Sequence, residues 1–251
     1  MKKICVALLL FCTWFCYARF SAGEELNFTI SYGIITAGSV KMTVTADTRN
    51  DTIPIFKVTS QAKTTRFFDN LYKVRDLIEI EFAQDNFQTY RYHKRLSEGS
   101  YRQNRVNLYY SELGYCMYMK KDKNAKEWTE TKYRIPVPSQ DIFTTFFHVR
   151  TLEFAVGDTL RTTVTEDGRI TTVNIVIHKI KKMDTIFGKI DCYQLEPQLR
   201  DTDSIFKQSG DIFIYLTADE NKIPVLLESK VIFGSFRATL DGYKPGIITN
   251  P

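Results

Sequence analysis

The chain has 251 residues, of which 43% are hydrophobic and 25% are charged, and its formal net charge at pH 7 is +5. So small a charge, with no basic stripe, argues against a nucleic-acid-binding protein. The length allows one large domain or two intimate halves around a sizeable core. Composition is even from Glu24 onward, with no linker and no internal repeat, which favours a single domain.

The first residues predict a secretory signal peptide. Lys2 and Lys3 precede an apolar run over residues 4–15, and small residues follow at Ala18 and Ala22. The run is shorter than the roughly 20 apolar residues that span a bilayer, so we expect removal and a protein that does not span the membrane. Cleavage is expected after Ala18, which gives a leader of residues 1–18, or as late as residue 22. The predicted location is periplasmic or extracellular.

The chain has five cysteines, and three of them lie in the leader. Cys116 and Cys192 remain in the mature protein. An oxidising compartment allows them to form one disulfide. Two separate buried thiols, packed as small hydrophobic groups, fit the sequence equally well.

Alternation of apolar and polar residues predicts β-strands with one wet face along most of the chain. In the first half the predicted strands cover residues 26–32, 40–46, 53–62, 74–82, 87–96, 100–110, 115–120 and 127–135. A turn at Ala37-Gly38 is predicted between the first two of these strands.

The second half continues the pattern. Asp167-Gly168 readily takes the positive φ angles of a hairpin turn, and it joins two predicted strands. The strands of this half cover residues 159–166, 170–179, 191–199, 211–217, 224–233 and 235–240.

Only two stretches have a helical pattern, residues 65–72 and 139–150. In the second, Ser139 is a candidate N-cap, and an apolar face is formed by Ile142, Phe143, Phe146 and Phe147. More than a dozen strands with two short helices predict an all-β, mainly antiparallel protein. At this length the sheet should curl into an open barrel or form two packed layers.

No catalytic motif stands out. Ser60 and Lys63 have the S-x-x-K spacing of a serine acyl-enzyme, but they end a strand pattern instead of opening a helix. The histidines, His93, His148 and His178, lie on separate elements without metal-ligand spacing.

Acidic clusters at Asp201 and Asp203 and at residues 219–221 lack the regular spacing of a calcium loop. We therefore predict no metal, no cofactor and no assigned catalytic residue.

Aromatic residues make up 14% of the chain and give the candidate binding residues. Tyr90, Tyr92 and His93 alternate with basic residues, which could contact phosphate or anionic lipid. Tyr109 and Tyr110 are strand neighbours, so one of them points away from the core of a one-sided sheet. An apolar or sugar-binding groove could use these five residues. A solvated strand face and ordinary core packing explain them as well.

Several short segments together have the pattern of a known family: residues 24–33, Ala37-Gly38, residues 67–72 with Arg75-Asp76, Glu98-Gly99, residues 141–150, residues 156–158 and residues 219–224. In these segments the sequence resembles an exported bacterial family known as domain of unknown function 3108. The resemblance extends over residues 24–243 and implies one β-rich periplasmic domain without established catalytic residues. Ile214-Tyr215 stands where a tryptophan of the family is expected.

Some of the matched residues have predicted structural roles. Gly33 and Gly38 should permit the first turn, and Gly99 and Gly157 should permit later ones. Asp76 interrupts an apolar strand face, so if buried it needs a hydrogen-bond donor or a cation, with Arg66, Arg91, Arg102 and Arg105 as candidates.

Three functional hypotheses remain. The leading one is a non-catalytic binding module whose curled sheet holds a hydrophobic or amphiphilic envelope ligand, such as a lipid, an acyl chain or a glycan. The second is an envelope hydrolase with a His/carboxylate site. The third is a scaffold that binds another envelope protein through a sheet edge.

Overall fold

A computed structural model describes residues 20–199, 211–230 and 235–247. The predicted leader, and with it Lys2, Lys3 and Ala18, lies outside the described residues, as do Asp201 and Asp203. The described chain is an all-β structure with two helices, and two-thirds of it (66%) is strand.

Strands follow one another along nearly the whole chain. Their bounds are β1 Glu25–Tyr32, β2 Ile35–Arg49, β3 Ile53–Thr64, β4 Arg75–Ala83, β5 Thr89–Glu98, β6 Tyr101–Tyr110, β7 Tyr115–Asp122, β8 Thr129–Arg134, β9 Thr159–Glu166, β10 Arg169–Thr185, β11 Gly188–Leu199, β12 Ile212–Thr217, β13 Pro224–Lys230 and β14 Ser235–Lys244. The predicted strand over residues 224–233 runs partly outside the described residues.

All fourteen strands form one antiparallel sheet in the order β8-β7-β6-β5-β4-β3-β2-β1-β14-β13-β12-β11-β10-β9. Sequence neighbours are therefore sheet neighbours, except that β8 and β9 do not pair with each other and β1 pairs with β14 as well as with β2. The sheet is not closed into a barrel, and β8 and β9 are its edges. The predicted curled all-β fold is confirmed.

The hairpin at Asp167-Gly168 is confirmed as well. Glu166 pairs with Arg169, and Asp167 and Gly168 have φ angles of 51° and 81°. Two consecutive positive φ angles match the twist of the flanking strands, which is why this dipeptide is favoured in two-residue loops.

The first turn differs from the prediction. It falls at Gly33 and Ile34, and Gly33 has a φ of 58°. Gly38 lies inside β2, where a Cβ atom would be 2.4 Å from the carbonyl oxygen of Lys63. Gly38 thus permits the close approach of β2 to β3 and takes no part in the turn.

Each helix follows a capping residue. The first, α1, covers Arg66–Asp69, and the Thr65 hydroxyl accepts from the Phe68 amide. The second, α2, covers Ile142–Thr151, and its N-cap is Asp141, not the expected Ser139.

Asp141 caps α2 from a fully buried position. Its carboxylate accepts from the backbone amides of Phe143 (2.8 Å) and Thr144 (3.1 Å), and the Thr89 hydroxyl donates to it at 2.8 Å. Burial raises the pKa of Asp141, and these hydrogen bonds oppose the shift. Ser139 instead hydrogen-bonds the Thr165 hydroxyl at 2.9 Å. The cap ties the start of α2 to the start of β5.

Connections alternate between two ends of the sheet because neighbouring strands are antiparallel. We call one the α1 end, which carries α1 and the turns at residues 33–34 and 99–100. The other, the α2 end, carries the turns at residues 50–52, 84–88 and 111–114. The α2 helix lies at this second end, since Asp141 contacts the first residue of β5.

A buried ion pair holds α2 against the start of β1. Arg150 and Glu24 are 0% and 1% exposed, and their two hydrogen bonds measure 2.8 and 2.9 Å. Arg150 Nε also donates to the carbonyl oxygen of Lys222 at 3.1 Å. Removing either charge would leave its partner buried and unpaired, so this pair makes the position of α2 specific.

Three hydrophobic clusters form the core of the described chain. The first includes Phe82 and Phe147 of α2; the second includes Leu26 and Tyr215; the third includes Ile177 and Val149 of α2. The helix α2 thus contributes to two of the three clusters.

Cys116 and Cys192 are both free and buried. Cys116 lies in the first cluster and Cys192 in the second. Of the two arrangements that the sequence allowed, the structure therefore has the separate thiols, without a disulfide.

Candidate functional site

An apolar cavity of about 400 Å³ lies between α2 and the inner face of the sheet. The helix contributes five of its lining residues: Ile142, Phe143, Thr145, Phe146 and Val149. The strands contribute Phe28, Val40, Met42, Ser60, Ala62, Asp76, Ile78, Val164, Val173, Ile175, Leu195, Pro197, Ile214, Leu216, Leu227 and Ala238. Ten strands therefore build one wall and a single helix builds the other.

Almost every lining residue is apolar. The exceptions are Ser60, Asp76 and Thr145, and Thr145 is turned toward Gln140, to which its hydroxyl donates at 3.5 Å. The volume falls within the range of about 300–1,000 Å³ that is typical of small-molecule sites. An apolar wall with few polar groups can hold a hydrocarbon chain but satisfies few hydrogen bonds.

The cavity lining extends toward the α1 end of the sheet. Asp76 is the second residue of β4, and Ala62 and Pro197 are each the third residue from the end of their strand. At the opposite end α2 and the first cluster fill the space.

Asp76 is the only charged residue among the described lining residues. Its carboxylate accepts from the backbone amide of Ser97 at 2.8 Å, which is the partner that the sequence had sought among the arginines. Burial is the largest cause of a raised pKa at the neighbouring Glu98. The negative charge of Asp76 and its hydrogen bond to Glu98 raise that pKa further.

Two of the five predicted binding residues are core residues. Tyr92 is 1% exposed, and its ring packs on Phe143 with a centroid distance of 6.2 Å. Tyr109 is 3% exposed, and its hydroxyl donates to the carbonyl oxygen of Thr165. They support the hydrophobic interior next to the cavity without lining it.

The other three lie outside the cavity lining and have different surroundings. Tyr90 is half-buried under Arg49, and Tyr110 is exposed and stacks on Tyr115. His93 contacts Arg91 and Asn104 at 2.8 and 2.6 Å. The structure does not bring the five residues together into one groove.

The sequence had nonetheless identified part of the cavity as a helix face. Ile142, Phe143 and Phe146 of that predicted face line the cavity, while Phe147 packs in the first cluster. The strand contribution was hidden because alternate apolar residues on ten strands give the same signal as an ordinary core.

A polar network that the sequence did not reveal fixes the hairpin between β9 and β10 to the inner face. Lys94 Nζ lies 2.6 Å from Glu166 and 3.0 Å from Asp167, and Arg105 also pairs with Asp167. The Asn107 side-chain oxygen accepts from the Asp167 amide at 3.1 Å. These contacts draw one edge of the sheet toward β5 and β6.

The three histidines do not converge. His148 stacks on Phe87 at 4.7 Å and contacts Gln140, and burial lowers its pKa. His178 pairs with Glu196 at 2.7 Å in a shallow site with a mainly polar lining. Among the described residues no group of three metal-ligating side chains occurs.

The S-x-x-K spacing, which the sequence already disfavoured as a catalytic motif, does not give a serine–lysine pair. Ser60 lines the cavity, whereas Lys63, an odd number of residues further along β3, points to the opposite face.

Two matched glycines occupy backbone conformations that other residues rarely adopt. Gly99 has a φ of 52°, and a Cβ atom there would be 2.7 Å from the Tyr72 ring; Gly157 has a φ of 95°. Gly99 thus allows the turn between β5 and β6 to pack on the segment after α1.

The fold and site define a class of protein: a curled, open antiparallel sheet that encloses an apolar cavity behind one helix. Within that class the chain belongs to the family described as "Protein of unknown function (DUF3108)", whose model matches residues 27–241. The family resemblance of the sequence is thereby confirmed.

A solved structure shares this fold at low sequence identity. A β-barrel-like protein of domain of unknown function DUF1849 from Brucella abortus matches with a TM-score of 0.57 and 10% identity, over 90% of this chain and 98% of its own.

A protein inferred to be exported, with a YmcC-like fold, from Bacteroides fragilis matches at a TM-score of 0.34 and 10% identity, over 90% of this chain and 97% of its own. A protein inferred to be a lipoprotein, from Parabacteroides distasonis, matches with a TM-score of 0.33 and 10% identity, over 90% of this chain and 98% of its own.

A comparison with curated proteins finds no match. Within the described part of the chain, no helix is long and apolar enough to cross a membrane.

Proposed function

We propose that this protein is a non-catalytic binding module that holds the hydrocarbon part of an amphiphilic or hydrophobic envelope ligand in the cavity between α2 and the sheet. The observation that carries the proposal is the apolar lining of that 400 Å³ space. The predicted signal peptide supports export to the envelope, where lipids and acyl chains are abundant.

The size of the cavity argues against a simple packing defect. Natural cores are close-packed, and the few voids that they contain are rarely larger than a water molecule. A space of about 400 Å³ is therefore better explained as a site that an apolar ligand fills.

The chemistry of the lining favours a lipid or acyl chain over a glycan. A sugar would bury several hydroxyl groups, and each buried hydroxyl without a partner costs about 1–3 kcal/mol. Ser60, Asp76 and Thr145 cannot satisfy them all. A hydrocarbon chain has no such requirement.

The two other hypotheses have less support. A hydrolase could use the pair His178–Glu196, but no serine, threonine or cysteine is among the described residues lining that shallow site. A scaffold could use edge strand β8, but its residues are mostly exposed and polar or charged, a pattern that protects edges from pairing.

The proposal is tested by the binding of alkyl ligands of increasing length. N-phenyl-1-naphthylamine serves as the fluorescent probe, and saturated amines and alcohols from octyl to hexadecyl compete with it. Each added CH₂ group that enters the cavity should tighten binding about fourfold, because its burial is worth about 0.8 kcal/mol. The series should reach a plateau when the cavity is full.

A pair of adjacent substitutions locates the site. Ala62→Phe fills part of the cavity and should weaken binding of the longer ligands by at least about tenfold. Gln61→Phe adds the same ring on the opposite, exposed face of β3 and should leave binding unchanged. Absence of chain-length dependence, or equal effects of the two variants, would overturn the proposal.

A further inference from the structure

The two ends of the sheet differ in charge. The described connections at the α1 end, residues 33–34, 65–74, 99–100, 123–128, 167–168 and 211, carry as many basic residues, Arg66, Lys73, Lys123 and Lys126, as acidic ones, Asp69, Glu127, Asp167 and Asp211. At the α2 end, residues 50–52, 84–88, 111–114, 135–158, 186–187 and 218–223 carry eight acidic residues, Asp51, Asp85, Glu112, Asp141, Glu153, Asp158, Asp219 and Glu220, against Arg150 and Lys222. An anionic surface is therefore repelled less by the α1 end than by the α2 end.

Large apolar side chains project from the α1 end. Ile34 at the tip of the first turn is fully exposed (101%), and Phe67 and Leu71 of the α1 segment are 68% and 71% exposed. Tyr72 and Phe236 are also exposed. Soluble surfaces do not usually gather such residues in one place, and where they do the patch contacts a partner or a membrane.

These side chains belong to neighbouring segments of the α1 end. Tyr32 pairs with both Ile35 and Phe236, which joins the first turn to the start of β14. The Thr65 amide donates to the carbonyl oxygen of Ala37 at 2.9 Å, which fixes the α1 segment beside β2.

Exposed cations stand beside the apolar residues. Arg66 and Lys73 flank Phe67 and Leu71, are exposed, and make no ion pair among the described residues. In contrast, Arg75 is neutralised by Asp69 at 2.6 Å. Apolar and aromatic tips with neighbouring lysine and arginine are the composition that binds the interface of an anionic bilayer.

We propose that the α1 end docks on the surface of an anionic lipid bilayer, with Ile34, Phe67 and Leu71 inserted at the headgroup level and Arg66 and Lys73 on lipid phosphates. The apolar residues sit on separate projecting turns and not in a concave groove, which suits a fluid surface better than a folded partner. The cavity lining extends toward the same end. If the proposed function holds, docking there would let a lipid chain pass between bilayer and cavity without crossing water.

The test is sedimentation of the empty mature protein with vesicles. Vesicles of phosphatidylcholine with added phosphatidylglycerol should bind the wild type, and pure phosphatidylcholine should bind it much less. Each interfacial cation contributes about fivefold in affinity, so Arg66→Gln with Lys73→Gln should weaken binding about 25-fold. Binding should also fall with added salt.

A matched pair of leucines tests the apolar contribution. Leu71→Glu at the α1 end should weaken vesicle binding by at least about tenfold. Leu113→Glu is the same change at an equally exposed leucine (69%) at the α2 end and should have no effect. Both sites are on the surface, so unchanged circular dichroism and unchanged probe binding in the cavity verify the fold.

The outcomes separate this proposal from the proposed function. Failure of the wild type to bind anionic vesicles, or equal loss in both leucine variants, overturns docking. Capture of an envelope protein through the α1 end, without vesicle binding, also overturns docking, in favour of a protein partner. Alkyl-ligand binding is measured without vesicles, so it stands or fails independently.

Discussion

The buried ion pair between Arg150 and Glu24 gives the sharpest test of how α2 is held over the cavity. Both groups are essentially inaccessible to solvent, and they are joined by two hydrogen bonds. The substitution Glu24→Leu removes the carboxylate and leaves the guanidinium buried without its counter-charge. We expect this change to lower the free energy of unfolding by about 3–5 kcal/mol.

The size of the effect follows from the surroundings of Arg150. Its Nε still donates to the carbonyl oxygen of Lys222, and the rings of Phe20 and Phe147 lie 5.3 and 5.6 Å from its guanidinium carbon. These contacts cannot replace a carboxylate in a low-dielectric site. For a chain of this size the loss corresponds to a decrease in Tm of about 6–20 °C.

Urea unfolding of the wild type, Glu24→Leu, Arg150→Met and the double variant measures the pair directly. Replacing both charges by apolar groups removes the uncompensated charge. The double variant should therefore be more stable than the sum of the single effects predicts, by at least about 2 kcal/mol.

An exposed ion pair serves as the control. The side chains of Lys57 and Asp47 are 42% and 45% exposed in their pair, so Asp47→Asn should lower the free energy of unfolding far less than Glu24→Leu does. Additive effects at Glu24 and Arg150, or single losses as small as that of the control, would refute the reasoning. The slope of unfolding against urea should stay constant across the set.

Three further predictions concern pH, thiols and backbone contacts. Burial lowers the pKa of His148 below 6.5, so the folded state binds fewer protons than the unfolded state. Stability should decrease as the pH falls from about 8 to 5, and His148→Phe should flatten that slope in urea unfolding. Burial raises the pKa of Cys116 and Cys192 to about 11. Both thiols should resist Ellman's reagent in the native protein and react after unfolding; a single disulfide found instead would contradict the structure. Finally, Gly38→Ala should lower the free energy of unfolding by about 1–3 kcal/mol, because the added Cβ atom would collide with the Lys63 carbonyl oxygen. Thermal unfolding measures this loss, and an unchanged Tm would show that β3 can move aside.

Local signals in the sequence were sufficient for most of the secondary structure. Alternating side chains predicted β9 over residues 159–166, and the structure has the strand at Thr159–Glu166. Asp167-Gly168 predicted its hairpin because the positive φ angles depend on those two residues alone. Caps were less predictable: Asp141 and Ser139 are both good N-caps, and contact with the distant Thr89 selects Asp141.

Local signals could not predict the candidate site, because the residues that line the cavity are distant from one another in the sequence. The predicted apolar face of α2 was right for Ile142, Phe143 and Phe146, but nothing local shows what that face covers. Tyr92 and Tyr109 were candidate binding residues because they are aromatic side chains on predicted strands, but the curl of the sheet places both of them in the core.

Periodicity and turn chemistry act over a few residues, so the amino-acid sequence alone was enough for the strands, the main hairpin and the all-β class. The pairing of β1 with β14, the contact of Glu24 with Arg150 across 126 positions, and the apolar space under α2 were decided only by the tertiary structure. Those features depend on how a fourteen-stranded sheet curls, and the curl is set by twist and packing summed over the whole chain.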